Sequence, residues 1–226
     1  MRTRLITVML CSTVISAATP VLAEEAADGE ITITGMRQAY RGDFEQREIP
    51  QAISVISSET LADNNIYRLT DALDLNASVS RQNNFGGLWD SYAVRGFAGD
   101  ENLPSGYLVN GFNGGRGFGG SRDVAGVERI EVLKGPSAAL FGRGEPGGTV
   151  NIVTKQAEFD VIRGNASGSY GSFDRARLDA DINLPLSDAL AVRMIGFYES
   201  ADSFRDTVDS KRFGILPQVA LRAGES

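Results

Sequence analysis

The chain has 226 residues, a net charge of −7, no histidine and one cysteine, Cys11. Acidity of this size argues against a nucleic-acid-binding surface. The 26 glycines point to turns and irregular loops.

The first 23 residues read as a secretory signal: Arg2 and Arg4 give a positive start, Leu5 to Ala18 is apolar or small, and Val21-Leu22-Ala23 has the small-residue pattern of a cleavage site. The mature chain is expected to begin at Glu24. The competing reading is an uncleaved membrane anchor, but the apolar run is short and Pro20 ends it. Leu10, standing before Cys11, speaks against a lipoprotein. Cleavage removes the only cysteine, so the exported protein has no disulfide. It also lacks a Cys or His nucleophile, a triad histidine and a zinc site of the usual ligands. These absences exclude much enzymology, and a non-enzymatic protein is expected; an oxygen-ligand metal site stays open at this point, without a compact motif. No later segment is long and apolar enough for a transmembrane helix.

Residues 24–48 begin acidic and small. Within them Glu30, Ile31, Thr32, Ile33 and Thr34 form a short β-prone stretch, and Met36 to Glu48 reads as a polar linker. Ile53 to Ile56 is a short strand. Ser57 to Thr60 opens a helix, with Leu61 to Asn64 as its turn. Ile66, Leu69, Ala72 and Leu73 then share helical spacing, with Asn64 or Asn65 as the expected cap. From Val79 to Asp123 the pattern is strand fragments, chiefly Tyr92–Arg95 and Tyr107–Val109, joined by loops rich in glycine. Three loop tips follow: Asn83 to Ser91, Phe97 to Ser105, and Phe112 to Ser121. Such loops on a compact domain point to function, and Phe85, Trp89, Arg116 and Phe118 are costly to expose without one.

Val127 to Leu133 is a strand. Pro136 opens a short helix, Ser137 to Phe141, ended by Gly142, and Thr149 to Thr154 is another strand. Gly142, Gly144 and Gly147 spell G-x-G-x-x-G. A dinucleotide site needs a strand before these glycines and a helix after them, and here the order is reversed.

After Lys155 the period changes to two. Ala176, Leu178, Ala180, Ile182 and Leu184 fall on one face of a strand, and Arg175, Arg177, Asp179, Asp181 and Asn183 on the other. Val161 to Tyr170, Leu190 to Glu199 and Phe213 to Leu221 are companion strands. Pro217 is expected to interrupt the ladder of the last one. Short turns, Gly171 to Asp174 and Pro185 to Asp188, and a longer polar loop, Ser200 to Ser210, connect them. Long alternating strands with alternating short and long connections are a transmembrane β-barrel pattern. Periodicity alone leaves open a water-soluble antiparallel sheet with one wet face; the secretory signal favours the membrane.

The run Val127 to Lys155, VERIEVLKGPSAALFGRGEPGGTVNIVTK, closely resembles the plug-domain signature of TonB-dependent outer-membrane receptors. Tyr92-Ala-Val-Arg-Gly-Phe97, Tyr107-Leu-Val-Asn-Gly-Phe112 and Ile49-Pro-Gln-Ala-Ile-Ser-Val-Ile56 resemble other parts of that domain. The loop Gly142 to Gly148 is similar to the ferric siderophore branch. The resemblance implies an α+β plug domain, a mixed sheet with short helices, followed by about four antiparallel strands of a transmembrane β-barrel of the plugged-lumen class. The implied organisation is a signal peptide at 1–23, an N-terminal segment with a TonB box and linker at 24–48, a plug at 49–156, and barrel strands at 157–226.

The resemblance also implies roles. Glu30, Ile31, Thr32, Ile33 and Thr34 stand where the family keeps its TonB box, and such a strand can add to the sheet edge of a partner, TonB, in the periplasm. Arg95 and Lys134 match basic plug positions that face carboxylates on later barrel strands; Lys134 stands where arginine is common, which weakens bidentate pairing. Arg81, Trp89, Asn102, Arg116 and Phe118 are the loop-tip residues expected to hold the ferric siderophore, on loop position and side-chain chemistry. Iron arrives inside that ligand, so no protein iron ligands are needed.

The implied location is the outer membrane when a full barrel is present, and the periplasm otherwise. Even small membrane barrels use about eight strands, so the expected whole is longer than this chain. The alternatives are a soluble periplasmic plug-like protein that binds ligand or TonB, and an inactive truncated remnant.

Overall fold

The computed structural model describes residues 51–83, 86, 89–98, 107–114, 120–135, 146–205 and 207–222. The secretory signal, the TonB box and linker, and the helix expected over Ser137 to Phe141 lie outside them.

The plug starts with β1 (Ala52–Ser57) and α1 (Ser58–Asp63). Ser57 caps this helix as its sequence suggests, its Oγ accepting from the Thr60 N–H at 3.2 Å. α2 (Leu69–Leu73) starts later than the apolar spacing suggests, and its N-cap is Arg68 with no side-chain hydrogen bond. The expected cap residues serve otherwise: Asn64 closes α1, and Asn65 takes a positive φ of 51° in the turn that follows. Asparagine tolerates that left-handed conformation, which is why it ends helices as well as starting them.

Next come β2 (Val79–Arg81), β3 (Tyr92–Val94), β4 (Tyr107–Val109), β5 (Phe112–Asn113), β6 (Val127–Lys134) and β7 (Gly148–Thr154). Five of the strands form one mixed sheet in the order β1-β6-β7-β4-β5, with β4 parallel to β7, and β2 pairs with β3 apart from it. β5 falls inside a stretch expected to be loop. Asn110 and Gly111 have φ of 52° and 79°, as a type I′ hairpin turn requires, and this turn folds Phe112 and Asn113 back onto β4. The core lies between the sheet and the two helices. It includes Leu61, Leu69 and Leu73 from the helices and Ile130, Val132 and Val150 from the sheet.

Four long strands complete the fold: β8 (Arg163–Gly171), β9 (Arg175–Ser187), β10 (Leu190–Asp202) and β11 (Asp209–Leu221). They form an antiparallel meander in sequence order. The connections are shorter than expected. β9 runs through Pro185 to Ser187, with a register irregularity between Leu190 and Ala191 absorbing it, and the polar loop shrinks to residues 203–208. Pro217 does not interrupt β11. It sits in register opposite Met194 with no shift on either side. β11 is an edge strand, where a proline nitrogen facing away from its neighbour costs no ladder bond.

The sidedness of this wall sheet is inverted relative to the plug. Arg177 is 1% exposed while its neighbour Leu178 is 63% exposed, and Ile215 is 70% exposed. The polar face packs on the plug and the apolar face points outward. A water-soluble sheet buries the other face. This arrangement matches the alternation of transmembrane β-barrel strands, polar inward and apolar outward.

Candidate functional site

Local geometry explains the plug signature. Tyr92 to Phe97 and Tyr107 to Phe112 are the same device used twice: a short strand followed by a two-residue turn with both φ positive. In the first, Arg95 (φ 53°) and Gly96 (φ 85°) form the turn, and Val94 and Phe97 exchange N–H···O bonds of 3.1 and 3.0 Å. Arginine in this conformation is less favourable than asparagine. Gly147 and Gly148 pack under this hairpin: a Cβ on Gly147 would collide with the Val94 carbonyl oxygen, and one on Gly148 with that of Leu133. The glycine pair therefore lets three backbone segments meet. A guanidinium nitrogen of Arg95 lies 4.0 Å from where a Cβ on Gly135 would sit, so the two predicted plug cations, Arg95 and Lys134, occupy adjoining segments.

The sheet under these turns is tied by buried polar groups. Glu131 and Asn151 are paired in register across β6 and β7. The Asn151 amide donates to Glu131 at 2.8 Å, Arg129 donates to the other carboxylate oxygen at 2.8 Å, and the Gly111 N–H donates to Asn151 at 3.0 Å. Glu131 and Asn151 both have partners here, so the network fixes register without an unpaired charge.

Of the expected ligand-contacting residues, Asn102, Arg116 and Phe118 lie outside the described residues. Arg81 is exposed but already engaged. Its guanidinium donates to Asp71 and Asp74 at 2.6 Å each, closing the end of α2. Trp89 is 8% exposed and bridges by backbone to Gly120. It is a buried anchor between two loops rather than a displayed tip, because burying so much apolar area outweighs exposing it. Beside it, the buried Asp90 accepts from the Arg122 backbone N–H at 2.9 Å and from Ser121 at 3.2 Å. Burial pushes its carboxyl above the usual carboxylate range despite Arg122. Arg122 stacks over the Tyr107 ring at 4.2 Å, and burial raises that phenol too. Residues 89–90 are thus joined to residues 120–122.

The principal charged site lies between plug and wall, and sequence reasoning did not find it. Arg177 of β9 grips Asp123 of the plug with two bonds of 2.8 and 2.9 Å. It also holds Asp179 at 2.6 and 2.8 Å and reaches Glu199 of β10 at 3.3 Å. Glu199 is fully buried and accepts from Arg175 and Arg212 at 2.8 Å and from plug Arg68 at 3.3 Å. The Arg177 guanidinium is stacked on Tyr67 at 4.3 Å and faces Phe197 at 5.0 Å. A second cluster joins Asp181 to Arg193 at 2.7 Å and to Lys155 at 3.1 Å, and Arg193 donates to the Gln156 carbonyl at 2.8 Å. The described plug–wall ion pairs therefore use Arg68, Asp123 and Lys155. The signal in the sequence was the charge itself: Arg175, Arg177, Asp179 and Asp181 share one strand face, too many buried charges to lack partners.

A plug with this sheet order, ion-paired to an inside-out antiparallel wall, can be compared with known proteins. Residues 45–149 match the family model described as TonB-dependent Receptor Plug Domain. The chain belongs to the TonB-dependent receptors. It is 41% identical over 203 residues to the metal-pseudopaline receptor CntO of Pseudomonas aeruginosa, a match covering 87% of this chain and 28% of that protein. It is 33% identical over 180 residues to the catecholate siderophore receptor Fiu of Escherichia coli K12, covering 77% and 23%. The closed-form crystal structure of Fiu superposes with a TM-score of 0.68 at 31% identity, over 82% of this chain and 25% of that one. The ferripyoverdine receptor of the outer membrane of Pseudomonas aeruginosa shares the fold, with a TM-score of 0.71 at 24% identity over 82% and 25%. This TonB-dependent receptor chain thus spans about a quarter of the length of the relatives it matches. The family consists of transport receptors, not enzymes.

Proposed function

We propose that this chain is the plug and first wall strands of an outer-membrane receptor that imports a ferric siderophore, driven by TonB from the periplasm. The observation that carries the reading is the inverted wall sheet ion-paired to a plug. Lipid outside and a tethered plug inside suit a gated importer and no water-soluble binding protein, because the exposed apolar rows would aggregate in water. Four strands leave edges that hydrocarbon does not tolerate, so transport belongs to a protein with a closed wall. The metal is cargo within its chelator, and the protein needs no resident cofactor. Ile31 and Ile33 would share one face of a strand added to TonB. Arg95 and Lys134 would meet carboxylates on further wall strands, and Asn102, Arg116 and Phe118 would meet the ligand.

A second reading concerns the cargo. The 41% identical relative is named for a metal–pseudopaline complex rather than a ferric one. A metallophore not restricted to iron is therefore the alternative substrate.

The test is uptake by cells whose only metal-chelate receptor is the protein containing this chain. Radiolabelled iron, nickel and zinc are offered with siderophores of several classes, with and without TonB. Iron accumulation that needs both the receptor and TonB is expected. Uptake of nickel or zinc alone would select the second reading. Receptor present in the outer membrane with no chelate imported would sink both.

A further inference from the structure

The plug is not held evenly against the wall. β9 and β10 grip it through the two ion clusters. The inner face of β8, formed by Asn165, Ser167 and Ser169, makes one described hydrogen bond to the plug, a long one of 3.5 Å from the Tyr67 hydroxyl to Ser169. Between this face and α1 lies a cavity of about 370 Å³, lined by polar Asn165, Ser167 and Asp181 and by apolar Leu61, Ile66 and Ile195. A second cavity, of about 530 Å³, continues it toward Glu158 and Arg163, where the chain leaves the plug for the wall. The two meet at Ser58, Lys155, Asn165 and Asp181, which line both. Together they make one groove along most of β8.

At the other end a third recess, of about 700 Å³, lies between Gly86 and Gly120 of the plug loops and the 203–208 connection. Arg68, Asp123 and Arg212 line that recess, while Tyr67, Val124 and Arg177 line the groove. The ion cluster of Asp123, Arg177 and Glu199 is therefore the partition between them. Its groups are charged, and its bonds can exchange for bonds to water or to a polar solute. An apolar plug of the same volume offers no such exchange.

We propose that the inner face of β8 is the transit path for a polar metal chelate, and that the Asp123–Arg177–Glu199 cluster is its closed gate. This rests on the receptor reading above. Small side chains on β8 leave the width, its polar face with Lys155 and Asp181 offers bonds in place of the solute's hydration, and four arginines around three carboxylates leave the gate net cationic toward an anionic chelate. Release of the plug from β9 and β10 joins recess and groove.

The experiment uses the whole receptor in cells and a radiolabelled ferric siderophore that the wild type imports. Ser167→Trp places an indole in the groove, and Ala166→Trp places one on the lipid face of the same strand. Expected are binding within about threefold of wild type for both, and uptake reduced about tenfold or more for Ser167→Trp alone. Wild-type uptake by Ser167→Trp would overturn the path. A receptor whose wild type binds and imports no chelate would instead overturn the receptor reading. If Ser167→Trp does not assemble, Ser167→Cys replaces it. Attachment of a bulky polar thiol reagent at that position is expected to stop uptake and leave binding intact, and full uptake after complete labelling would overturn the proposal.

Discussion

In the plug sheet, Ile130, Val132 and Val150 are sealed from solvent against two helices; in the wall sheet, Leu178, Ile182, Ile215 and Val219 stand exposed and the charges are sealed instead. Both sheets use alternating side chains, and both bury carboxylates. The difference lies in what each polar face is offered. Glu131 of the plug is satisfied by Asn151 and Arg129 within its own sheet, so its strand can turn its apolar side chains to a core. Arg177 and Glu199 pair within the wall, with Asp179, Arg175 and Arg212, and draw further partners, Asp123 and Arg68, from the plug. The wall therefore turns its polar face toward the plug and leaves its apolar face exposed. Alternation defines two faces, and the available partners decide which one is inside.

The largest effect that would break this comparison is at Glu199. Glu199→Leu removes the common acceptor of Arg68, Arg175, Arg177 and Arg212 and leaves the buried Arg177 and the three more exposed arginines each short of a partner. Loss of about 3–5 kcal/mol is expected in denaturant titrations of the reconstituted protein. A change near zero would mean that the wall does not depend on its ion pairs. Next is Ile130→Ala in the plug core, where a fully buried side chain is truncated. About 2–4 kcal/mol is expected, with the wall strands unaffected in proteolysis of the same sample. Ile215→Lys comes third and tests sidedness directly. In a bilayer it should cost about 2 kcal/mol or more, depending on depth. No cost would return this face to water. Arg81→Ala is smaller still, under about 1 kcal/mol, because the pairs to Asp71 and Asp74 are exposed.

Much of the plug was legible because its signals are local. β1, β4, β6 and β7 begin and end within a residue or two of where their apolar runs predict, and Ser57 caps α1 as its side chain suggests. Asn64 and Asn65 were misplaced because asparagine serves both ends of helices. Pro185 and Pro217 read as breaks because sequence does not show which edge a proline nitrogen faces. The plug–wall site was illegible for a different reason: Asp123 and Arg177 are 54 residues apart, and nothing local marks either as the other's partner. Trp89 shows the same limit, since a loop tryptophan reads alike whether it contacts ligand or anchors a neighbouring loop.

The smallest expected effect sharpens the contrast between a carboxylate with several cations and one with a single cation. Asp90 in the plug has only Arg122 as its ion-pair partner among the described residues, at 3.4 Å, against four arginines on Glu199. Burial prevails there, and the carboxyl titrates above its ordinary range. A carboxyl that holds its proton more tightly folded than unfolded contributes stability below the unfolded pKa, near about 4. That contribution is lost as pH rises through the folded value. Asp90→Asn cannot ionise, so the stability of wild type relative to this variant should fall as pH is raised from about 4 toward 7. Urea titrations of both proteins across that range measure the difference. If the relative stability of wild type rises instead, the Arg122 pair outweighs burial, and the plug carboxylate behaves as the wall carboxylates do despite having one partner.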